Sequence, residues 1–112
     1  MECTNLTTIN FPSLTSLSGN NTFWNCTNLT TVASLGSITS LPDGTFNHCT
    51  SLSSIPLDNI TSIGVSVFND CDSLTRIILP SIETVGRYTF NEYDGTQRVI
   101  DLGSSLTQIG QN

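Results

Sequence analysis

Residues 71–90 read CDSLTRIILPSIETVGRYTF, with apolar steps at Cys71, Leu74, Ile77, Leu79, Ile82, Val85 and Phe90. The same steps occur three more times upstream. From Cys49 they fall on Leu52, Ile55, Leu57, Ile60, Ile63 and Phe68; from Cys26, on Leu29, Val32, Leu35, Ile38, Leu41 and Phe46. From Cys3 they fall on Leu6, Ile9, Phe11, Leu14, Leu17 and Phe23. The four cysteines lie 23, 23 and 22 residues apart. Seven apolar columns held through four periods identify an internal repeat.

Length differences fall between the columns. The second period carries one extra residue near Ala33-Ser34, and the first carries one between Ser18 and Thr22. Turns absorb such changes; core positions do not. A period of this length cannot bury its own apolar stripe, so neighbouring coils must stack into one continuous core. Each large side chain buried there contributes about 1.5–3 kcal/mol. Leu52, Ile55, Ile63, Phe68 and Cys71 are accordingly expected to be inaccessible.

Spacing also predicts local structure. The end of each Cys-x-x-Leu-x-x-Ile-x-Leu stretch alternates, as a short strand with one inward face does. Ile60–Gly64 and Ile82–Gly86 predict a second short extended segment. Phe68 and Cys71 stand three apart, which suits a single helical or 3₁₀ turn with both side chains inside. Pro42, Pro56 and Pro80 are expected at segment ends, where a missing N–H does no harm.

The pattern C-x-x-L-x-x-I-x-L-P-x-I-x-x-V-G-x-x-x-F resembles the BspA-like class of leucine-rich repeat. The resemblance is close over residues 3–92 and looser beyond. It implies a leucine-rich-repeat solenoid of short parallel strands, turns and single helical or 3₁₀ turns. It also implies an extracellular or cell-surface protein, a protein-binding or adhesion role, and no catalytic residues or cofactor. Residues 1–92 are read as four repeats and 93–112 as a degenerate fifth repeat or C-terminal cap. There Tyr93 replaces Cys, Thr96 replaces Leu, and two residues are inserted before Leu106 and Ile109. Because neither end completes a coil, the chain reads as a fragment or module, and end-to-end self-association through uncovered coils is open to it.

Composition narrows the partners. Net charge is −6, with three Arg and no Lys among 112 residues. Nucleic acid and anionic membranes reward basic residues, so neither is expected as a partner. No apolar run is long enough to span a bilayer. Met1-Glu2-Cys3 lacks the basic and apolar regions of a secretory signal. The expected partner is a protein ligand or a host or cell-surface component. A spacer in a larger surface protein or enzyme, or a carbohydrate-binding surface, is the alternative.

Individual residues offer few chemical motifs. Cysteines one repeat apart suit a ladder of buried free thiols better than disulfides or a metal site, whose ligands recur at shorter spacings. His48 adjoins Cys49, but neighbours on a turn diverge, so no nucleophile pair is expected. Asn47, Asn69 and Asn91 form a column after Phe, suited to satisfying turn backbone groups. Trp24 holds that column in the first coil; Trp24, Tyr88 and Tyr93 are the binding candidates. Thr7-Thr8, Thr30-Thr31 and Ser53-Ser54 read as a solvated strand surface. Glycosylation sequons stand at Asn5, Asn20, Asn25, Asn28 and Asn59. Asp70, Asp72, Glu92 and Asp94 flank one register of consecutive coils. They form either a solvated acidic patch or a weak calcium site.

Overall fold

The computed structural model describes residues 3–90, 99–103 and 108–109. Among these residues the regular elements are eight short strands: β1 Thr8–Asn10, β2 Thr31–Ser34, β3 Ser40–Leu41, β4 Ser62–Ile63, β5 Arg76–Ile78, β6 Thr84–Val85, β7 Val99–Asp101 and β8 Gln108–Ile109. Every pairing is parallel and joins one coil to the next. The molecule is the solenoid that the repeat implies.

Two strand ladders run along it. One is continuous, in the order β3-β4-β6-β8, with Leu41, Ile63, Val85 and Ile109 in register. The other is split into the pairs β1-β2 and β5-β7. In β1-β2, Ile9 faces Val32 but Asn10 faces Ser34, so Ala33 is the extra residue of a bulge. The insertion near Ala33-Ser34 thus leaves the apolar columns undisturbed.

The split falls in the third coil. Only an isolated bridge, Thr31 to Ser54, carries the ladder from β2 into residues 53–58. Two features of sequence explain this. Three steps separate Val32 from Leu35 but two separate Ile55 from Leu57, so the coils lose register past the bulge. Pro56 then stands at the end of the expected strand, one period before Ile78, lacks an N–H, and restricts Ile55 before it. Pro56 is thus at a segment end, as expected, and so is Pro42, directly after β3.

A third side is held by turn segments whose backbones bond from coil to coil. Phe23 N–H donates to the Thr45 carbonyl at 2.9 Å, Phe46 to Val67 at 3.1 Å, and His48 to Asn69 at 2.9 Å. Within each turn the Cys N–H donates back to the Phe carbonyl: 3.4 Å for Cys26, 3.1 Å for Cys49 and 3.3 Å for Cys71. No helix forms among the described residues. Left-handed residues interrupt the turn at two columns, Asn21, Gly44, Ser66 and Tyr88, then Asn25, His48 and Asp70. Asn, Asp and His tolerate that region; for Tyr88 it is strained.

The core consists of the expected columns. Leu29, Leu52 and Leu74 are buried, as are Ile38, Ile60 and Ile82, and Cys26, Cys49 and Cys71. Phe23, Phe46, Phe68 and Phe90 stack face to face with centroids 5.5–6.4 Å apart. Not every column residue is fully buried: Cys3, Leu6, Leu14, Leu17 and Phe90 are half-buried against the core. Ile55 is only half-buried because its strand is not formed, and Phe11 is 42% exposed. The Phe11 ring instead covers Phe23, at 6.2 Å. Thr45 and Thr89 are buried in a column shared with Val67, each hydroxyl donating to a carbonyl: Pro42 at 2.6 Å and Gly64 at 2.9 Å.

Candidate binding face

The inward positions of the split ladder are uniformly aliphatic, whereas the outward positions differ from coil to coil. They run from Thr8 and Asn10, through Thr31 and Ala33, to Arg76 and Ile78, then Val99 and Asp101. Ile78 and Val99 are 41% and 57% exposed. Across β5-β7, Arg76 faces Val99 and Ile78 faces Asp101. Charge and apolar surface are therefore interleaved at this end of the ladder.

Where the ladder breaks, a cleft of about 280 Å³ opens between residues 53–58 and β5. Ile55, Pro56 and Ile78 supply its apolar walls, with Asp58 on one side and Arg76 on the other. Arg76 makes no ion pair among the described residues. A smaller depression of about 120 Å³ lies on the far side of Pro56, against Ala33 and Gly36. The segment around Pro56 is thus a ridge between two hollows.

The residues singled out from sequence lie elsewhere. Trp24 and Tyr88, 37% and 43% exposed, sit on the turn side in the first and fourth coils. At about 4.8 Å per ladder step they are roughly 14 Å apart, so no one small ligand joins them. Tyr93, Glu92 and Asp94 lie outside the described residues. Asp70 Oδ2 stands 3.1 Å from His48 Nδ1. His48 Nδ1 is also 2.9 Å from Asn47 Oδ1, and Asn69 Nδ2 donates to that same oxygen at 3.2 Å. Between Asn47 and Asn69 the asparagine column therefore bonds side chain to side chain. Sequence reasoning missed the His48–Asp70 pair. Both precede Cys by one residue, one coil apart, and that shared column was the available signal.

The thiols are closed off. Cys49 Sγ donates to the Phe23 carbonyl at 3.2 Å, and Cys71 Sγ to the Phe46 carbonyl at 3.1 Å. All four cysteines are free, and Cys3 alone is half-exposed. Burial pushes the Cys49 thiol up to about 12, and burial beside Cys3 raises Cys26 as well. A neutral thiol without solvent is a poor nucleophile. His48, adjacent in sequence, faces Asp70 and not Cys49.

The hydroxyl rows are more than a wetted surface. Thr30 and Ser53 donate to the carbonyls of Thr7 and Thr30 one coil earlier, at 3.1 and 3.2 Å, and Thr61 to Thr39 at 3.2 Å. Of the sequon asparagines, Asn5, Asn20, Asn28 and Asn59 are exposed, and Asn28 Nδ2 donates to the Thr4 carbonyl.

The model of the BspA type leucine rich repeat region (6 copies) matches residues 1–97, and the chain belongs to that family. A leucine-rich repeat protein from Bacteroides ovatus ATCC 8483 is 30% identical, with a TM-score of 0.83 over 96% of this chain and 28% of that one. A leucine rich cell surface protein from Faecalibacterium prausnitzii A2-165 is 25% identical, with a TM-score of 0.68 over 96% of this chain and 27% of that one. The chain thus spans little more than a quarter of either protein. No curated protein matches it.

Proposed function

We propose that this chain is a non-catalytic protein-binding module of a cell-surface leucine-rich repeat protein, and that it binds through the outward face of the split ladder. The observation that carries this reading is the contrast between the two faces of one ladder. Its inward residues are interchangeable aliphatics, and its outward residues place Arg76, Ile78, Val99 and Asp101 side by side. Exposed apolar side chains among charges suit recognition of another protein. The cell-surface description of the Faecalibacterium protein supports the setting. Trp24 and Tyr88 are secondary contact candidates on the turn side.

The test is an array of immobilised extracellular proteins and glycans probed with the purified chain. Saturable binding to protein spots that falls with Val99→Ser, with the fold intact, supports the reading. Binding confined to glycans, or none to any spot, contradicts it. Antibody labelling of intact source cells tests the surface setting separately.

A further inference from the structure

The break in the ladder leaves residues 53–58 and the edge of β5 facing one another without backbone bonds between them. In β1-β2 and β5-β7 the backbone groups of alternate residues point to alternate sides, as parallel pairing requires. Leu79 N–H donates to the Asp101 carbonyl at 2.7 Å, which leaves Arg76 and Ile78 with their backbone groups toward the third coil. There the only bridge to a neighbouring coil is Thr31 to Ser54, on the far side. Among the described residues no backbone hydrogen bond joins residues 53–58 to β5. The Ser73 and Ser81 hydroxyls donate to the Thr50 and Asp58 carbonyls at 2.8 Å on either side of the gap. The gap thus stays one coil step wide, and an extended chain lies across its mouth, where side-chain pockets select.

The walls say what such a chain would carry. Ile78 is 41% exposed and Ile55 half-buried, so the cleft floor and rim are aliphatic. Arg76 is one of three cations in a chain of net charge −6, and it stands at this cleft without an acidic partner among the described residues. A guanidinium holds a carboxylate by paired, charge-assisted hydrogen bonds. Asp58, on the opposite wall, suits an N–H donor and not a second acid.

From these observations we infer that the cleft between the third coil and β5 is a subsite for an extended peptide segment in which an aliphatic side chain adjoins a carboxylate, the carboxylate docking on Arg76. This rests on the protein-binding reading above and specifies where and by what chemistry it acts. The cleft volume of about 280 Å³ admits one aliphatic side chain with its flanking backbone and no larger ligand.

The experiment uses two capped tetrapeptides as probes, one alternating leucine with aspartate, the other leucine with lysine. Amide chemical shifts of the isotopically labelled chain are followed on titration. The aspartate peptide should shift Ser54, Ile55, Asp58, Arg76 and Ile78 saturably, and the lysine peptide should not. Arg76→Glu should weaken the aspartate peptide by about tenfold or more, the loss of one charged hydrogen-bonded contact. Ile78→Ser should weaken both the shift and its saturation. Both residues point outward, and an unchanged Gly86 amide reports that the continuous ladder remains folded. Shifts scattered over the molecule, or saturable binding indifferent to Arg76→Glu, overturn the subsite. So do oligosaccharide probes that shift these amides where the peptides do not. If arrayed proteins still bind the Arg76→Glu variant undiminished, the subsite fails while the protein-binding reading stands.

Discussion

The Cys49 thiol donates to the Phe23 carbonyl, one coil back across the turn, at 3.2 Å. Cys71 repeats the relationship with Phe46 at 3.1 Å. Each of those carbonyls also accepts the backbone N–H of the Cys in its own turn. The cysteine column therefore locks successive turns together as well as filling space. With an aromatic reagent for thiols, native protein should react first at Cys3 and only on unfolding at Cys49 and Cys71. Cys71→Ala should cost about 1–3 kcal/mol through the lost bond and the small cavity. Fast labelling of Cys49 in folded protein contradicts the ladder.

Alkaline pH offers a second check. Cys49 has its folded value at about 12, above an ordinary value of 9.0, because burial disfavours the thiolate. Below pH 9 both states keep the proton and this contribution to stability is whole. Above it the unfolded thiol ionises while the folded one does not, so stability falls from pH 9 toward 12. Denaturant midpoints should stay level up to about pH 8, as far as this group is concerned, and decline beyond pH 9. The Cys49→Ala variant should decline less steeply. Parallel declines in the two proteins would remove burial of Cys49 as the cause.

Core columns should respond unequally. Leu52 is fully buried, and Leu52→Ala should cost about 2–5 kcal/mol. Ile55 is half-buried beside the cleft, so Ile55→Ala should cost clearly less, about 1–2 kcal/mol. Chemical denaturation of both variants checks the order. Equal losses would mean that the third coil is packed like the others.

Gly86 lies directly on the backbone of Gly64, and an added Cβ would collide with the Gly64 carbonyl group and the Val65 nitrogen. Backbone cannot swing aside as a side chain can. Gly86→Ala should therefore destabilise by about 1–3 kcal/mol, as overpacking does. A thermal melt within error of wild type would mean that the coils are not in contact there.

Much of this was legible in the residues, for a physical reason. A stacked core repeats its demand on every coil, so Leu52 and Leu74, or Ile60 and Ile82, announce one another. Insertions likewise betrayed the bulge at Ala33. Hydrogen bonds between backbones leave no such trace, and the turn ladder through Phe23, Thr45 and Val67 was invisible. Pro56 fits the variable position between Ile55 and Leu57 as readily as Ile78 does, so nothing in the pattern marked the broken strand. The candidate cleft was missed with it. His48 and Asp70 were each read beside a different neighbour, the first against Cys49 and the second against Glu92.

Amide hydrogen exchange, resolved residue by residue, tests the central claim most directly: that coils stack by backbone ladders which are interrupted between the third coil and β5. Phe46, His48 and Gly86, each bonded to a neighbouring coil, should exchange slowly, and so should Leu79. Arg76 and Ile78, in β5 just before it but facing the gap, should exchange faster than Leu79 by orders of magnitude, since no bond must open first. Protection of Arg76 and Ile78 equal to that of Leu79 would mean an unbroken ladder, and would contradict both the architecture and the binding cleft built on it.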